Sequence, residues 1–162
     1  MKAVKRLTAL FLIALIFFVP RVTALAADEE MADKTAEFCS ELLRLVNEER
    51  EKAGAAPLEM HEELVKAAQL RAEEAAEKFS HTRPDGTRWS TVFAEYELKY
   101  TAAGENLAAG FRTAAAMVKA WMNSEGHRAN ILAEDFTYIA FGCFVREDGR
   151  MYVAQLFFTP AK

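Results

Sequence analysis

The last quarter of the chain constrains the fold more than any other segment. Asp148-Gly149 is the strongest short hairpin signal a sequence can carry, and it sits between two runs of β-type residues. A two-residue loop there pairs Glu147 with Arg150, and the rest of the register follows. One face then carries Val145, Tyr152, Cys143, Ala154, Phe141, Leu156, Ile139 and Phe158. The other carries Phe144, Val153, Ala140 and Phe157, with only Gly142 and Gln155 interrupting. A hairpin apolar on both faces must be covered on both sides. The remaining sequence offers only helices as cover. The expectation is an α+β chain folded as a three-layer α-β-α sandwich, with the hairpin central and a third strand near Tyr100 to Ala109.

The helices read from their period. From about Asp33 to Ala53, Phe38, Cys39, Leu42, Leu45 and Val46 share one face while Glu and Arg fill the other. Gly54 is a natural stop, and Pro57-Leu58 marks a short connection. A second helix is expected from about Glu62 to Lys78, striped with Leu64, Ala68, Ala72, Ala75 and Phe79. Its alanines call for close backbone packing against a neighbour. Arg83-Pro84-Asp85-Gly86 then has the composition of a turn. Shorter helices are expected over Trp89 to Glu97 and over Ala114 to Asn123. The latter is capped by Thr113, with Met117, Val118 and Trp121 facing inward.

The N-terminus is a different kind of segment. Lys2, Lys5 and Arg6 precede an apolar run from Leu7 to Val19 broken only by Thr8; Pro20 follows, and Ala24-Leu25-Ala26 supplies small residues for cleavage. Residues 1–26 are therefore expected to be a secretory signal, since a spanning helix needs roughly 20 apolar residues. Residues 27–36 are expected as a flexible acidic lead-in, and 37–162 as one domain. Four of the 20 basic residues and none of the 24 acidic ones lie in the first 26, which leaves a net charge of −8 for the remainder. That balance gives no reason to expect nucleic-acid binding and favours a soluble monomer without a stable membrane span. Export would place Cys39 and Cys143 in an oxidising space. An even count there permits one disulfide, closing a loop of about 100 residues worth up to roughly 4–5 kcal/mol. Two buried thiols are the alternative.

The chemistry-bearing residues are few. His61 stands where a helix cap or surface residue is usual. His81 follows the second helix in Phe79-Ser80-His81, and His127 lies in Ser124-Glu125-Gly126-His127-Arg128; both are expected in loops. Glu105 lies between them in Gly104-Glu105-Asn106-Leu107-Ala108. With Trp121, the run Asn130-Ile131-Leu132, and Leu45-Val46-Asn47-x-x-Arg50 followed by Gly54, Pro57 and Leu58, these motifs occur in the order of a known family. Over about residues 38–158 the sequence resembles the CAP superfamily, or SCP domain, which includes cysteine-rich secretory proteins, antigen 5 and plant pathogenesis-related proteins. It is most similar to the short secreted bacterial members. The resemblance implies an α-β-α sandwich, in agreement with the covered hairpin.

The resemblance also implies a cleft of two His and two Glu, able to hold a divalent metal through the histidines. His81 and His127 match those ligands, for Zn²⁺ or Mg²⁺, and Glu105 matches the first acid. The second acid has no clean match: its position holds Ser124, with Glu125 one residue on. Two imidazoles without a third protein ligand make a weak site. Arg128 is expected to pair with a carboxylate such as Glu105 or to hold a carbonyl, Asn106 and Asn130 to satisfy backbone groups, and Trp121 to be core. Ser80 and Ser124 lack a nucleophile elbow. Three functions follow. The first is a secreted or envelope-associated module binding a lipid, peptide or cell-envelope partner, and not an enzyme. The second is a metal-dependent hydrolase with Glu105 as base. The third is a structural or signalling protein of the envelope or spore with a vestigial cleft.

Overall fold

The computed structural model describes the backbone of residues 19–162 and side chains from residue 29. Residues 1–18, which carry most of the expected export signal, lie outside the described residues. The first helix, α1, spans Val19–Lys52, and the chain divides at its middle into a unit ending at Ala36 and a domain of Glu37–Lys162. Residues 27–36 lie within α1. Ala, Glu, Met and Lys are strong helix formers, and Lys34 donates to Glu30 one turn back at 2.7 Å. Among the described residues, no helix is long and apolar enough to cross a membrane.

The domain is a four-stranded sheet between two layers of helices. After α1, Gly54 takes a φ of 79°, and the chain enters the two-residue strand β1 (Glu59–Met60). Helix α2 (Glu62–Glu77) follows, with His61 as its cap: the imidazole Nδ1 accepts from the Leu64 N–H at 3.4 Å. The span expected as one helix after the Arg83 turn is a 3-10 turn at Trp89–Thr91 leading into α3 (Val92–Glu95). Strand β2 (Tyr100–Ala109) lies where the third strand is expected. Helix α4 (Ala114–Met122) is capped by Thr113, whose Oγ1 accepts from the Ala116 N–H at 3.2 Å. Helix α5 (Glu125–Leu132) then leads to the hairpin strands β3 (Tyr138–Val145) and β4 (Met151–Pro160). The sheet order is β1-β3-β4-β2, antiparallel except for the short parallel pairing of β1 with β3.

The hairpin is present, but its register differs by one residue. Arg146 N–H donates to Arg150 O at 3.0 Å and Gly149 N–H to Arg146 O at 2.8 Å, so the loop is the three residues Glu147-Asp148-Gly149. Gly149 takes the left-handed conformation, φ 78°, that such a loop needs at its last position. The Asp148 carboxylate fixes the turn by accepting from the Arg150 N–H at 3.0 Å. One residue of slip exchanges the faces of β4. Val153 and Phe157 join Ile139 and Phe141 beneath α1, α4 and α5, packed with Leu42, Val46, Met117, Trp121 and Ile131. Leu156 and Phe158 join Ala140 beneath α2, packed with Leu64, Ala68 and Phe93. Because both faces of each strand are apolar, the sandwich itself does not depend on the slip.

The alanine stripe of α2 brings its backbone down onto the sheet. Gly142 lies directly beneath it, and a Cβ at that position would stand 2.0 Å from the Ala68 carbonyl oxygen. Here the missing side chain is a condition of the packing. On the other face, buried Arg50 donates to the carbonyls of Ala56, Ile131 and Ala133 at 2.6, 2.7 and 2.7 Å. That one guanidinium joins the end of α1, the loop after it and the end of α5. Asn47 does the same for Leu58, bonding its backbone N–H and C=O at 2.9 and 3.0 Å.

Candidate functional site

The open edge of the sheet is β2, and the candidate residues collect around it. Alternate residues of β2 face opposite layers: Glu105 and Leu107 face α2, while Asn106 and Ala108 face the side of α1, α4 and α5. His81, in the loop after α2, reaches Glu105 from one side, with Nδ1 2.7 Å from Oε1. His127 comes from the other side. It belongs to the first turn of α5, not to a loop, and its backbone carbonyl accepts from the Asn106 amide at 3.1 Å.

Glu105 is held by a residue that the motifs did not single out. Arg71 of α2 is fully buried; its Nε donates to Glu105 Oε2 at 2.7 Å and its Nη2 to Oε1 at 3.3 Å. The same guanidinium donates to Glu74 at 2.5 Å and to the Ser80 carbonyl at 3.0 Å. Arg83 closes the other end, donating to Glu74 at 2.7 and 2.9 Å, to Thr91 at 3.0 Å and to Glu95. The result is a line of alternating charge, Arg83–Glu74–Arg71–Glu105, ending at His81. Burial works against the Arg71 charge, but the bonds and charges of Glu105 and Glu74 raise its pKa above the ordinary value. Burial likewise works against ionised Glu74, and Arg83 and Arg71 outweigh it, holding that carboxyl below the ordinary range. Of the two roles expected for Arg128, a carboxylate partner such as Glu105 or a carbonyl, the structure shows the second: its Nη1 donates to the Met122 carbonyl at 3.3 Å.

This arrangement sets the state of His81. A carboxylate paired with a guanidinium can only accept, so His81 Nδ1 carries the proton and donates it. The other nitrogen, Nε2, is left for the exterior, and the side chain is 57% exposed. His127 is half-buried. Burial, reinforced by the charge of His81, lowers its pKa, so it is neutral at physiological pH. The His127 ring signals in a proton NMR titration should have a midpoint below the ordinary imidazole value of about 6.5. His81→Ala should move that midpoint upward. A His127 midpoint above the ordinary value, or one indifferent to His81, would contradict this electrostatic reading.

The remaining candidates do not join the pair. Ser124 is the N-cap residue of α5 without a capping side-chain bond, and Glu125 is exposed in its first turn. Ser80 Oγ accepts from the Thr82 N–H at 3.0 Å in a local turn. Among the described residues, no three His, Cys, Asp or Glu side chains converge to hold a metal ion. Asn130 donates to Asn106 Oδ1 at 2.9 Å and to the Glu105 carbonyl at 3.1 Å; Trp121 Nε1 donates to the Leu107 carbonyl at 3.2 Å. Cys39 on α1 and Cys143 on β3 come together with their sulfurs 3.4 Å apart.

The profile of the cysteine-rich secretory protein family, CAP, matches residues 43–158. The chain belongs to the CAP family. Its CAP domain is 39% identical over 116 residues to the uncharacterized protein YkwD of Bacillus subtilis, covering 70% of this chain and 44% of that protein. It is 33% identical over 104 residues to the uncharacterized membrane protein YlbC of the same organism, covering 63% and 30%. The chain thus spans less than half the length of these relatives. An extracellular SCP-domain protein from Bacillus anthracis superposes with a TM-score of 0.69 at 25% identity, covering 76% of this chain and 40% of that one. An outer surface protein of Borrelia burgdorferi superposes with 0.68 at 25%, covering 74% and 90%. In this CAP domain the motif residues divide by task. Asn47, Arg50, Asn106, Trp121 and Asn130 bind backbone or one another, while His81 bonds Glu105 and stays exposed, and His127 is half-buried at the start of α5.

Proposed function

We propose that this CAP domain is an extracellular or envelope-associated binding module, receiving a lipid, peptide or cell-envelope ligand at the cleft between His81 and His127. One observation carries the reading: both oxygens of Glu105 are taken, one by Arg71 and the other by Arg71 and His81. A general base needs a lone pair within reach of a substrate proton; three of the roughly four acceptor sites of Glu105 are taken, and the fourth, on Oε2, belongs to a fully buried side chain. Its task is to fix the ring of His81. The cleft then presents the His81 Nε2, the neutral imidazole of His127 and the adjoining loops, a set suited to hydrogen-bonded recognition.

A divalent metal fits these residues poorly. Zn²⁺ in a catalytic site takes three protein ligands, and the donor set here is two imidazoles. Mg²⁺ favours oxygen ligands, and the buried Glu105 oxygens are committed to Arg71.

The test uses retention and calorimetry on the same protein. The domain should be retained by isolated cell envelopes or by vesicles of their extracted lipids, and His81→Ala with His127→Ala should reduce retention at least tenfold. Equal retention of the double variant would place recognition elsewhere. Titration with Zn²⁺ at micromolar to millimolar concentration should release no binding heat. Heat that vanishes in the double variant would overturn the reading in favour of a metal centre.

A further inference from the structure

We propose that Cys39 and Cys143 form a disulfide by thiol–disulfide exchange, a modification site that clamps the root of α1 to the sheet. The sulfurs already touch at 3.4 Å, so reaching the bonded distance of about 2.05 Å requires an approach of roughly 1.3 Å, within the range of side-chain rotation. The two residues are 104 apart in sequence and come from different layers, α1 above and β3 in the sheet. Cys39 is also close to the start of the domain at Glu37. A bond there would fix the helix at the point where the N-terminal segment enters the domain.

The surroundings divide the labour between the sulfurs. Cys143 sits on a pinned piece of strand. Its N–H donates to the Gln69 side chain of α2 at 3.1 Å, and its neighbour Gly142 lies under the Ala68 carbonyl. Movement during closure therefore falls to Cys39 on the helix. Both cysteines are only partly buried, at the margin of the core. The hydrogen bond between the two sulfurs lowers the pKa of Cys39 against the opposing effect of burial, whereas that bond and burial raise Cys143. Because Cys143 is held on the pinned strand and Cys39 is the sulfur free to turn toward a reagent, Cys39 is the attacking sulfur, and the direction of the shifts agrees.

The reaction needs an external disulfide R–S–S–R, from a small-molecule disulfide or an oxidised dithiol protein. Cys39 thiolate attacks one sulfur, forming a mixed disulfide and releasing R–S⁻. Cys143, losing its proton to solvent, attacks the Cys39 sulfur and releases the second R–S⁻. Two thiols are oxidised and one external disulfide is reduced.

The test equilibrates the full domain with excess oxidised glutathione at about pH 8, then unfolds and alkylates it. The expected products are a monomer lighter by two hydrogen atoms, no alkylated cysteine, and a single cross-linked Cys39–Cys143 peptide. Its melting midpoint should exceed that of the reduced protein by several degrees. Cys143→Ser should stop the reaction at a mixed disulfide on Cys39, and Cys39→Ser should react far more slowly. Two alkylated cysteines after oxidation, a persistent mixed disulfide in the wild type, or dimers linked between chains would each overturn the proposal. Equal reactivity of the two single variants would overturn the assignment of Cys39 as attacking sulfur.

Discussion

Arg71→Met should lower the unfolding free energy by about 3–5 kcal/mol, the cost of breaking a buried ion pair by removing one partner. The side chains of Arg71 and Glu105 are both fully buried, so the variant strands Glu105 in the core and takes one of two guanidinium partners from Glu74. Urea unfolding at neutral pH measures the loss. The deficit has a pH signature. Wild-type Glu74 has a folded pKa below its unfolded value. Its stabilisation is present above about 4.3, the unfolded carboxylate value, and is lost as pH falls through the folded value. In Arg71→Met, protonation relieves the stranded carboxylate, so the gap to wild type should narrow in acid. Adding Glu105→Gln should recover part of the loss, giving a non-additive cycle. A loss under about 1 kcal/mol at pH 7 would show that Glu105 finds solvent without Arg71. His81 provides a second readout: freed from a fixed Glu105, its ring should lose the single orientation that the pair enforces.

Gly142→Ala should be nearly as damaging, for a purely steric reason. The added methyl would overlap the Ala68 carbonyl oxygen at 2.0 Å and the Gln69 nitrogen at 2.4 Å. Both are backbone atoms, so no rotamer change relieves the clash, and α2 must retreat from the sheet. Overpacking typically costs 1–3 kcal/mol, and a rigid backbone contact points to about 3 kcal/mol or more. A smaller residue at position 68 should not rescue the variant, because the obstacle is the carbonyl. Gly126→Ala is the control: a methyl group there would meet nothing within 4 Å, and the residue is helical, so that change should be neutral or slightly stabilising. A Gly142→Ala midpoint matching wild type in thermal and urea unfolding would refute the close approach.

The layers were readable because the hairpin strands are apolar on both faces, a property that survives a one-residue slip. The slip arose because Asp148-Gly149 ends a three-residue loop, and a dipeptide signal does not distinguish that loop from a two-residue one. Strand β1, at two residues, has no alternation to read. Helix α5 begins directly after Ser124 and has little apolar stripe, so His127 read as a loop residue. Ser124 in the N-cap position was the available clue. Of the site, His81, Glu105 and His127 were visible in motifs, but their support was not. Arg71 stands three residues after Ala68 and four before Ala75, on the apolar stripe itself. An arginine at such a position is forced inward and must find a buried acid, and that rule leads to Glu105 without any motif.

The way β2 is finished bears on how these molecules behave in company. An exposed edge strand is a template on which a second chain can add, the route to strand-swapped dimers and fibrils. Here the outward carbonyls at Glu105 and Leu107 are already occupied by the side chains of Asn130 and Trp121. The opposite edge, β1, is only two residues long. On that side β1 pairs only with Tyr138 and Ile139, so β3 from Ala140 to Val145 forms the rest of the border, where the Gln69 side chain takes the Cys143 N–H. Side chains thus interrupt the row of partners at both borders, which should slow the addition of a strand.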